Sequence, residues 1–220
     1  MTVSLPFEDR ASAGERLAEK LKAYRNRADL WVLGLPRGGL PVAYEVAKYL
    51  NAPLDVLLVR KLGVPGQREL AFGAIAAGGV RVLDDDLIRA LRLTTEEIER
   101  TTAEESRELE AGNRRYREGR ATPKLRGCVV IVVDDGVATG STMRAAIQSL
   151  RAQGPARIVV AAPVVSAQAA EMLRKIADDF VCMAEPEPFY AVGFWYRDFS
   201  QVGDQEVRCL LAERAREPAA

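Results

Sequence analysis

Asp134 and Asp135 stand side by side at the end of an apolar run, and Gly136, Thr139, Gly140, Ser141 and Thr142 follow them closely. Glycines let a backbone bend and approach a ligand, and hydroxyls beside the free N–H groups of a helix start make a cradle for phosphate. Two carboxylates cannot share that phosphate, because like charges repel. They suit groups that donate hydrogen bonds to them, such as hydroxyls, or a hydrated cation. A phosphate at one end with a vicinal diol close by describes a ribose 5-phosphate. The segment carries neither the G-x-G-x-x-G pattern of dinucleotide-binding turns nor the G-K-[ST] lysine of NTPase loops.

Such a turn needs a strand and a helix to hold it. Residues 128–133 read as a buried strand, and Met143, Ala146, Ile147 and Leu150 mark one face of a helix over 141–151. The same alternation runs through the chain. Ser12 with Glu15 suggests a capping box for a first helix carrying Leu17, Leu21 and Tyr24. Residues 29–35 read as a strand. Pro41 opens a helix with Val42, Val46, Tyr49 and Leu50 on one face, and Asn51 ends it. Further strands are expected over 54–59, 157–164 and 180–184, and a further helix over 166–177. This predicts a doubly wound, mostly parallel α/β sheet of the Rossmann-like kind, with helices on both faces and ligands at the carboxyl ends of the strands.

Two regions break the rhythm. Residues 63–68, GVPGQR, read as a loop, and 71–83 as a hairpin broken at Gly78 and Gly79, together an exposed, flexible-loop hairpin. From Thr94, which can form a capping box with Glu97, a highly charged stretch runs to Gly119 with only Ile98, Leu109 and Tyr116 as a narrow apolar stripe. Glu96 with Arg100 and Glu110 with Arg114 interleave the signs, so a solvated helix is expected rather than a nucleic-acid arm. The organisation implied is one domain over 1–220, with a long charged helical insertion at 84–120 and an aromatic C-terminal segment at 185–220.

Bulk properties narrow the partners. The 220 residues are 48% hydrophobic, enough for a sizeable core, and 31 basic residues cancel 31 acidic ones, so no overall field favours nucleic acid or an anionic membrane. Cys128, Cys182 and Cys209 are odd in number and far apart, which suggests buried thiols in a reducing compartment. Histidine is absent, so proton transfer must use Glu, Asp, Lys, Tyr or water. With no signal-like start and no apolar stretch near the ~20 residues of a membrane span, a cytoplasmic location is expected.

The stretch VIVVDDGVATGST, residues 130–142, resembles the phosphoribosyl pyrophosphate (PRPP) motif of type I phosphoribosyltransferases. The resemblance implies that Asp134 and Asp135 hold the ribose 2- and 3-hydroxyls, while Ala138, Thr139, Gly140, Ser141 and Thr142 wrap the 5-phosphate. LPRGG, residues 35–39, offers Arg37 and the amides of Gly38 and Gly39 to a pyrophosphate. It is similar to the family's pyrophosphate loop, which often carries a non-proline cis peptide. VRKLGVPGQRELAFG, residues 59–73, resembles the flexible catalytic loop, most of all that of adenine phosphoribosyltransferases. The family pattern then implies Arg60, Lys61 and Glu69 as catalytic residues, with Lys61 also on pyrophosphate and Glu69 steering the proton of the base.

The activity implied is transfer of a 5-phosphoribosyl group between PRPP and a nitrogen heterocycle, with release of pyrophosphate, in nucleotide salvage. Mg²⁺ is implied as cofactor, held mainly by the ligand, with Asp134 and Asp135 as outer-sphere acids; a homodimer is implied too. Ala138 stands where 6-oxopurine enzymes carry a third acid, which argues against guanine or hypoxanthine transfer by that mechanism. Yet PFYAVGFWYRDF, residues 188–199, is similar to the segment with which those enzymes cover a purine. Phe189, Phe194 or Trp195 could stack on a base beside Val137, and Asp198 could accept from an exocyclic amine. The same aromatics could instead pack the C-terminal helix or a subunit contact. The alternatives to an enzyme are a PRPP-binding regulator and a partner protein that docks through the charged helix.

Overall fold

The apolar run that ends at the acid pair lies in the middle of a five-stranded parallel sheet. A computed structural model describes residues 5–117 and 120–216, with the side chains of Arg68 and Glu69 outside the described set. Along the chain come α1 (Arg10–Lys20), β1 (Leu30–Gly34), α2 (Gly39–Leu50), β2 (Leu54–Val56), β3 (Val59–Val64), β4 (Gln67–Ala76), β5 (Val80–Leu83), α3 (Asp85–Leu91), α4 (Thr95–Arg117), β6 (Val129–Val133), α5 (Ser141–Arg151), β7 (Arg157–Val164), α6 (Ala167–Ile176), β8 (Asp179–Ala184) and α7 (Asp204–Arg216). Two compact units result, one of Met1–Leu57, Leu125–Gly140 and Pro155–Ala220, the other of Leu58–Lys124 and Ser141–Gly154.

In the first unit the strands run parallel in the order β2-β1-β6-β7-β8. Val130, Ile131, Val132 and Val133 are fully buried, as are Val159, Val160, Ala161 and Ala162 on β7. Strands sandwiched by neighbours on both edges and covered on their faces have no use for polar alternation, which is why these runs are continuous in apolar residues. β1 leads to β2 on one side, and the chain returns on the other side of β1 as β6. The order therefore reverses between β1 and β6, and it is beyond the carboxyl ends of the strands at such a switch that doubly wound sheets bind ligands.

The first helix starts a turn earlier than Ser12 and Glu15 suggested. Asp9 is the N-cap: Ser12 N donates to Asp9 Oδ1 at 2.7 Å, and Asp9 N donates to Ser12 Oγ at 3.1 Å. The reciprocal pair satisfies two otherwise orphaned N–H groups, with Ser12 in the third helical position rather than at the cap. α2 ends as expected, Asn51 taking the left-handed conformation at φ 55°. The thiols depart from expectation, since Cys128 and Cys182 are only half-buried and Cys209 is exposed. Cys182 lies on β8, the strand at the edge of the sheet, and Cys209 lies on α7 outside that helix's buried set of Val207, Leu211 and Arg214.

The second unit is an antiparallel meander, β3-β4-β5, carrying α3, α4 and α5. Residues 63–68, read as a loop, are a strand end, a tight turn and a strand start. Val64 pairs with Gln67, so only Pro65 and Gly66 turn, and Gly66 sits at φ 79°. Proline fixes the first central position of such a turn and glycine supplies positive φ at the second. The register shifts around Gly63 absorb the irregularity. The strand expected over 54–59 is split, and Arg60 and Lys61 belong to β3 instead of ending β2. Leu62, Phe72, Ile75 and Ile98 form the core of this unit, with Leu109 packed against it. The narrow stripe of α4 thus faces the hairpin. Thr94 and Glu97 make the expected capping box, Glu97 N donating to Thr94 Oγ1 at 3.2 Å. The charged helix was expected to reach Gly119; Glu118 and Gly119 lie outside the described residues.

Candidate active site

The turns after β1 and β6 interlock. Leu35 N donates to Val133 O at 2.9 Å, which carries the pairing of the two strands one residue into the loops. A Cβ on Gly38 would stand 2.1 Å from Asp135 Oδ2, and one on Gly39 would stand 2.8 Å from Val133 O and 2.9 Å from Asp134 Cα. Only glycine permits such an approach. The LPRGG loop and the acid pair are therefore a single packed surface at the switch in strand order. Within that loop the Pro36–Arg37 peptide is cis, the feature that the resemblance implied. Gly38 caps α2, so the amides of the loop open a helix, and the Arg37 side chain is 40% exposed with Asp204 of α7 4.0 Å away. An exposed guanidinium beside a helix N-terminus can take an anion bidentately.

The two acids have different surroundings. Asp134 Oδ1 accepts from Asp135 N at 2.9 Å, and its carboxyl is pushed well above the ordinary carboxylate range, first by burial and then by the charge of Asp135. Asp135 is tied elsewhere: Arg10 Nε donates to its Oδ2 at 2.8 Å, and Tyr196 Oη donates to its backbone carbonyl. Burial, reinforced by Asp135, raises the Tyr196 hydroxyl, which keeps it a proton donor. One buried acid that favours a proton beside one held by a guanidinium is an asymmetric pair, suited to a diol whose hydroxyls both donate and accept.

Past the acids, Gly136 has no room for a side chain, since a Cβ would meet Val192 Cγ1 at 2.4 Å. Val137 is buried and bridges Val165, its N–H bonding Val164 O and its carbonyl accepting from Ser166 N. Ala138 and Thr139 are exposed, and Ser166 Oγ donates to Ala138 O at 2.6 Å while also capping α6. Gly140 takes φ 75° against Met172, and α5 begins at the next residue, Ser141, with Thr142 exposed beside it. Val137 is thus a strut of the turn, and Ser166 a support that sequence reading missed; its signal was a serine just ahead of an amphipathic helix.

The aromatic segment divides into two faces. Phe189 and Trp195 pack with Val192 against the cluster of Phe7, Ala13, Val164 and Tyr196. Tyr190 and Phe194 are 70% and 62% exposed, with ring centroids 5.5 Å apart. Of the aromatics singled out in the sequence, Phe194 is the one open to a flat ligand, and Tyr190 joins it. Asp198 is exposed and accepts from Ser200 N at 2.9 Å, a bond that lowers its carboxyl.

In the second unit, Arg60 Nε donates to Glu105 Oε2 at 2.7 Å, which draws it toward α4. Side chains alternate along a strand, so the neighbouring Lys61 points to the other face of β3. The Glu69 side chain lies outside the described residues. No cluster of three or more potential metal ligands occurs among the described residues. Two carboxylates alone suit a cation held through water and a bound ligand rather than a protein cage.

A family model described as "Phosphoribosyl transferase domain" matches residues 65–194, more than half of the chain. The chain belongs to the phosphoribosyl transferase family. Two Mycobacterium tuberculosis proteins, from strains CDC 1551 and H37Rv, each named "Putative phosphoribosyl transferase", are 47% identical to it over 211 residues, covering 96% of this chain and 47% of theirs. The chain spans about half the length of the curated relatives it matches. The crystal structure of TT1426 from Thermus thermophilus superposes with a TM-score of 0.88 at 44% identity, covering 95% of this chain and 99% of that one. A Neisseria gonorrhoeae protein solved with bound ppGpp shares the fold, with a TM-score of 0.51 at 16% identity over 97% of this chain and 98% of its own. The phosphoribosyl transferase assignment agrees with the doubly wound sheet and with the position of the acid turn at its switch. No helix among the described residues is long and apolar enough to cross a membrane.

Proposed function

We propose that this phosphoribosyl transferase moves a 5-phosphoribosyl group between PRPP and a nitrogen heterocycle, releasing pyrophosphate. The observation that carries the reading is the interlock of Gly38 and Gly39 with Asp134 and Asp135 at the β1/β6 switch. It puts an anion-binding helix start against two acids suited to a diol, which is the arrangement a sugar bearing a pyrophosphate at C1 requires. Arg37, Gly38 and Gly39 receive the pyrophosphate, Asp134 and Asp135 the ribose hydroxyls, and Ala138 to Thr142 the 5-phosphate. Displacement at C1 passes through an oxocarbenium-like state, so the chain's contribution is to hold the departing anion and fix the geometry of attack. Asp134 and Asp135 are the residues that would help hold a Mg²⁺ ion brought in with PRPP, and the ion would supply further charge neutralisation. A purine-like base is favoured, flanked by Phe194 and Tyr190.

Pyrophosphate release from PRPP and Mg²⁺, measured across purines, pyrimidines and other heterocycles, is expected to be positive for at least one base and to vanish without Mg²⁺. Tight PRPP binding with no release for any base would replace the transferase by a PRPP-binding regulator. The resemblance to the family's catalytic loop assigns Lys61 to the pyrophosphate and Glu69 to the base proton. Lys61→Ala and Glu69→Gln are each expected to lower kcat by about 100-fold or more. Arg60→Ala, which removes a side chain already paired with Glu105, is expected to lower it by less than about tenfold. Equal losses at Arg60 and Lys61 would show that the pairing seen here does not hold during turnover.

A further inference from the structure

Nothing in the sequence marks Arg10, yet it joins three distant parts of the first unit. The Asp9 cap starts α1 at Arg10 and so directs this side chain from the first helical turn. Its Nε donates to Asp135 Oδ2 at 2.8 Å, its Nη1 donates to Ser200 O at 2.8 Å, and its guanidinium lies 3.8 Å from the centroid of the Phe199 ring. Both partners of the ion pair are largely covered, with side chains 11% and 13% exposed. Around it the N-terminal stretch runs beside the aromatic segment: Phe7 N donates to Trp195 O at 2.8 Å, Arg197 N to Phe7 O at 2.8 Å, and Asp198 N to Glu8 O at 2.9 Å.

A planar guanidinium with fixed donors sets the orientation of a carboxylate in a way that a mobile ammonium does not. Here it holds Oδ2, the oxygen that faces Gly38, which leaves Oδ1 as the oxygen for a ribose hydroxyl. We propose that Arg10 is a positioning residue: it orients the Asp135 carboxylate for the sugar diol and couples that acid to the aromatic segment through Phe199 and Ser200. The inference rests on the phosphoribosyl reading of the acid pair. Arg10 itself touches neither sugar nor phosphate in this scheme; it acts through Asp135.

Calorimetric titration with ribose 5-phosphate and with 2,3-dideoxyribose 5-phosphate, which lacks the diol, separates positioning from a general structural tie. Wild-type protein is expected to prefer the ribose compound. Arg10→Gln is expected to weaken ribose 5-phosphate binding by about tenfold while leaving the dideoxy compound unchanged, because the lost term is a charge-assisted orientation of one carboxylate. Arg10→Lys keeps the charge without the fork and is expected to fall between the two; it carries the test if the Gln variant does not fold. An equal loss for both ligands, or no loss for the ribose compound, overturns the proposal. If the wild type itself does not distinguish the two sugars, the diol assignment fails first, and Arg10 loses its role with it.

Discussion

Asp134→Asn is expected to make the ligand-free protein more stable, and adding Asp135→Asn is expected to abolish stabilisation by PRPP. The carboxyl of Asp134 is buried and stands beside the charge of Asp135, and both effects raise it. A carboxyl raised on folding adds stability that is fully present below its unfolded value, near ~3.9, and is lost as pH rises through the folded value. Near neutral pH the charged form is therefore a cost, and the wild type is expected to lose stability as pH climbs from the ordinary carboxylate range toward 8. An amide in the same place still accepts from Asp135 N but carries no charge, so the variant lacks that slope. The gain expected at neutral pH is about 0.5–2 kcal/mol, and each kcal/mol raises the melting temperature by about 2–4 °C in a chain of this size. PRPP at a hundred times its Kd stabilises a binding protein by about 2.7 kcal/mol; the Asp134→Asn, Asp135→Asn double variant is expected to show none of it. Thermal unfolding between pH 5 and 8, with and without PRPP, checks both halves. A variant less stable than wild type at neutral pH would mean that the charge of Asp134 is compensated in the folded protein.

Gly38→Ala and Gly39→Ala are expected to fail in different ways. The backbone of Gly38 is helical at φ −60°, so alanine is conformationally acceptable there. Its Cβ, however, would fall 2.1 Å from Asp135 Oδ2, and the carboxylate must leave the position in which Arg10 holds it. Because displacement of a substrate-positioning group by about 1 Å can lower activity about 100-fold, transfer is expected to drop by that order while the unfolding midpoint barely moves. At Gly39 the obstacles are Val133 O and Asp134 Cα, main-chain atoms that can give way only if β6 shifts against α2. That variant is expected to lose stability as well, by about 1–3 kcal/mol. Paired measurements of turnover and urea midpoint separate the two outcomes. A fully active Gly38→Ala protein would detach the LPRGG loop from the acid pair in function.

The sheet was open to reading because its signals are local. Residues 157–164 are apolar without interruption after Arg157, and the strand found there has the same bounds. Asn51 ended α2 and Thr94 opened the charged helix because caps depend on a few neighbouring residues. The Gly-Pro stretch at 63–68 misled for a related reason. Composition there signals a turn, and whether a turn is a loop or the tip of a hairpin depends on the pairing of Val64 with Gln67, which the composition does not state. For the first helix two overlapping caps were available, and Asp9 with Ser12 won over Ser12 with Glu15.

What the sequence determined by itself is the chemistry offered at each strand end: two acids and a ring of hydroxyls after β6, an arginine and two glycines after β1. Glycine, aspartate and threonine carry their conformational and hydrogen-bonding properties wherever they stand, so short spacings convey them. The tertiary structure decided which of these parts meet. Gly38 touches Asp135 because the sheet reverses its strand order between β1 and β6. Arg10 and Tyr196, 125 and 61 residues away from Asp135, reach it only because the N-terminal and aromatic segments lie side by side. Arg60 is drawn to Glu105 by the packing of α4 on the hairpin. Contacts of this kind follow from the burial of whole elements, to which each residue contributes a small share, and no single spacing encodes them.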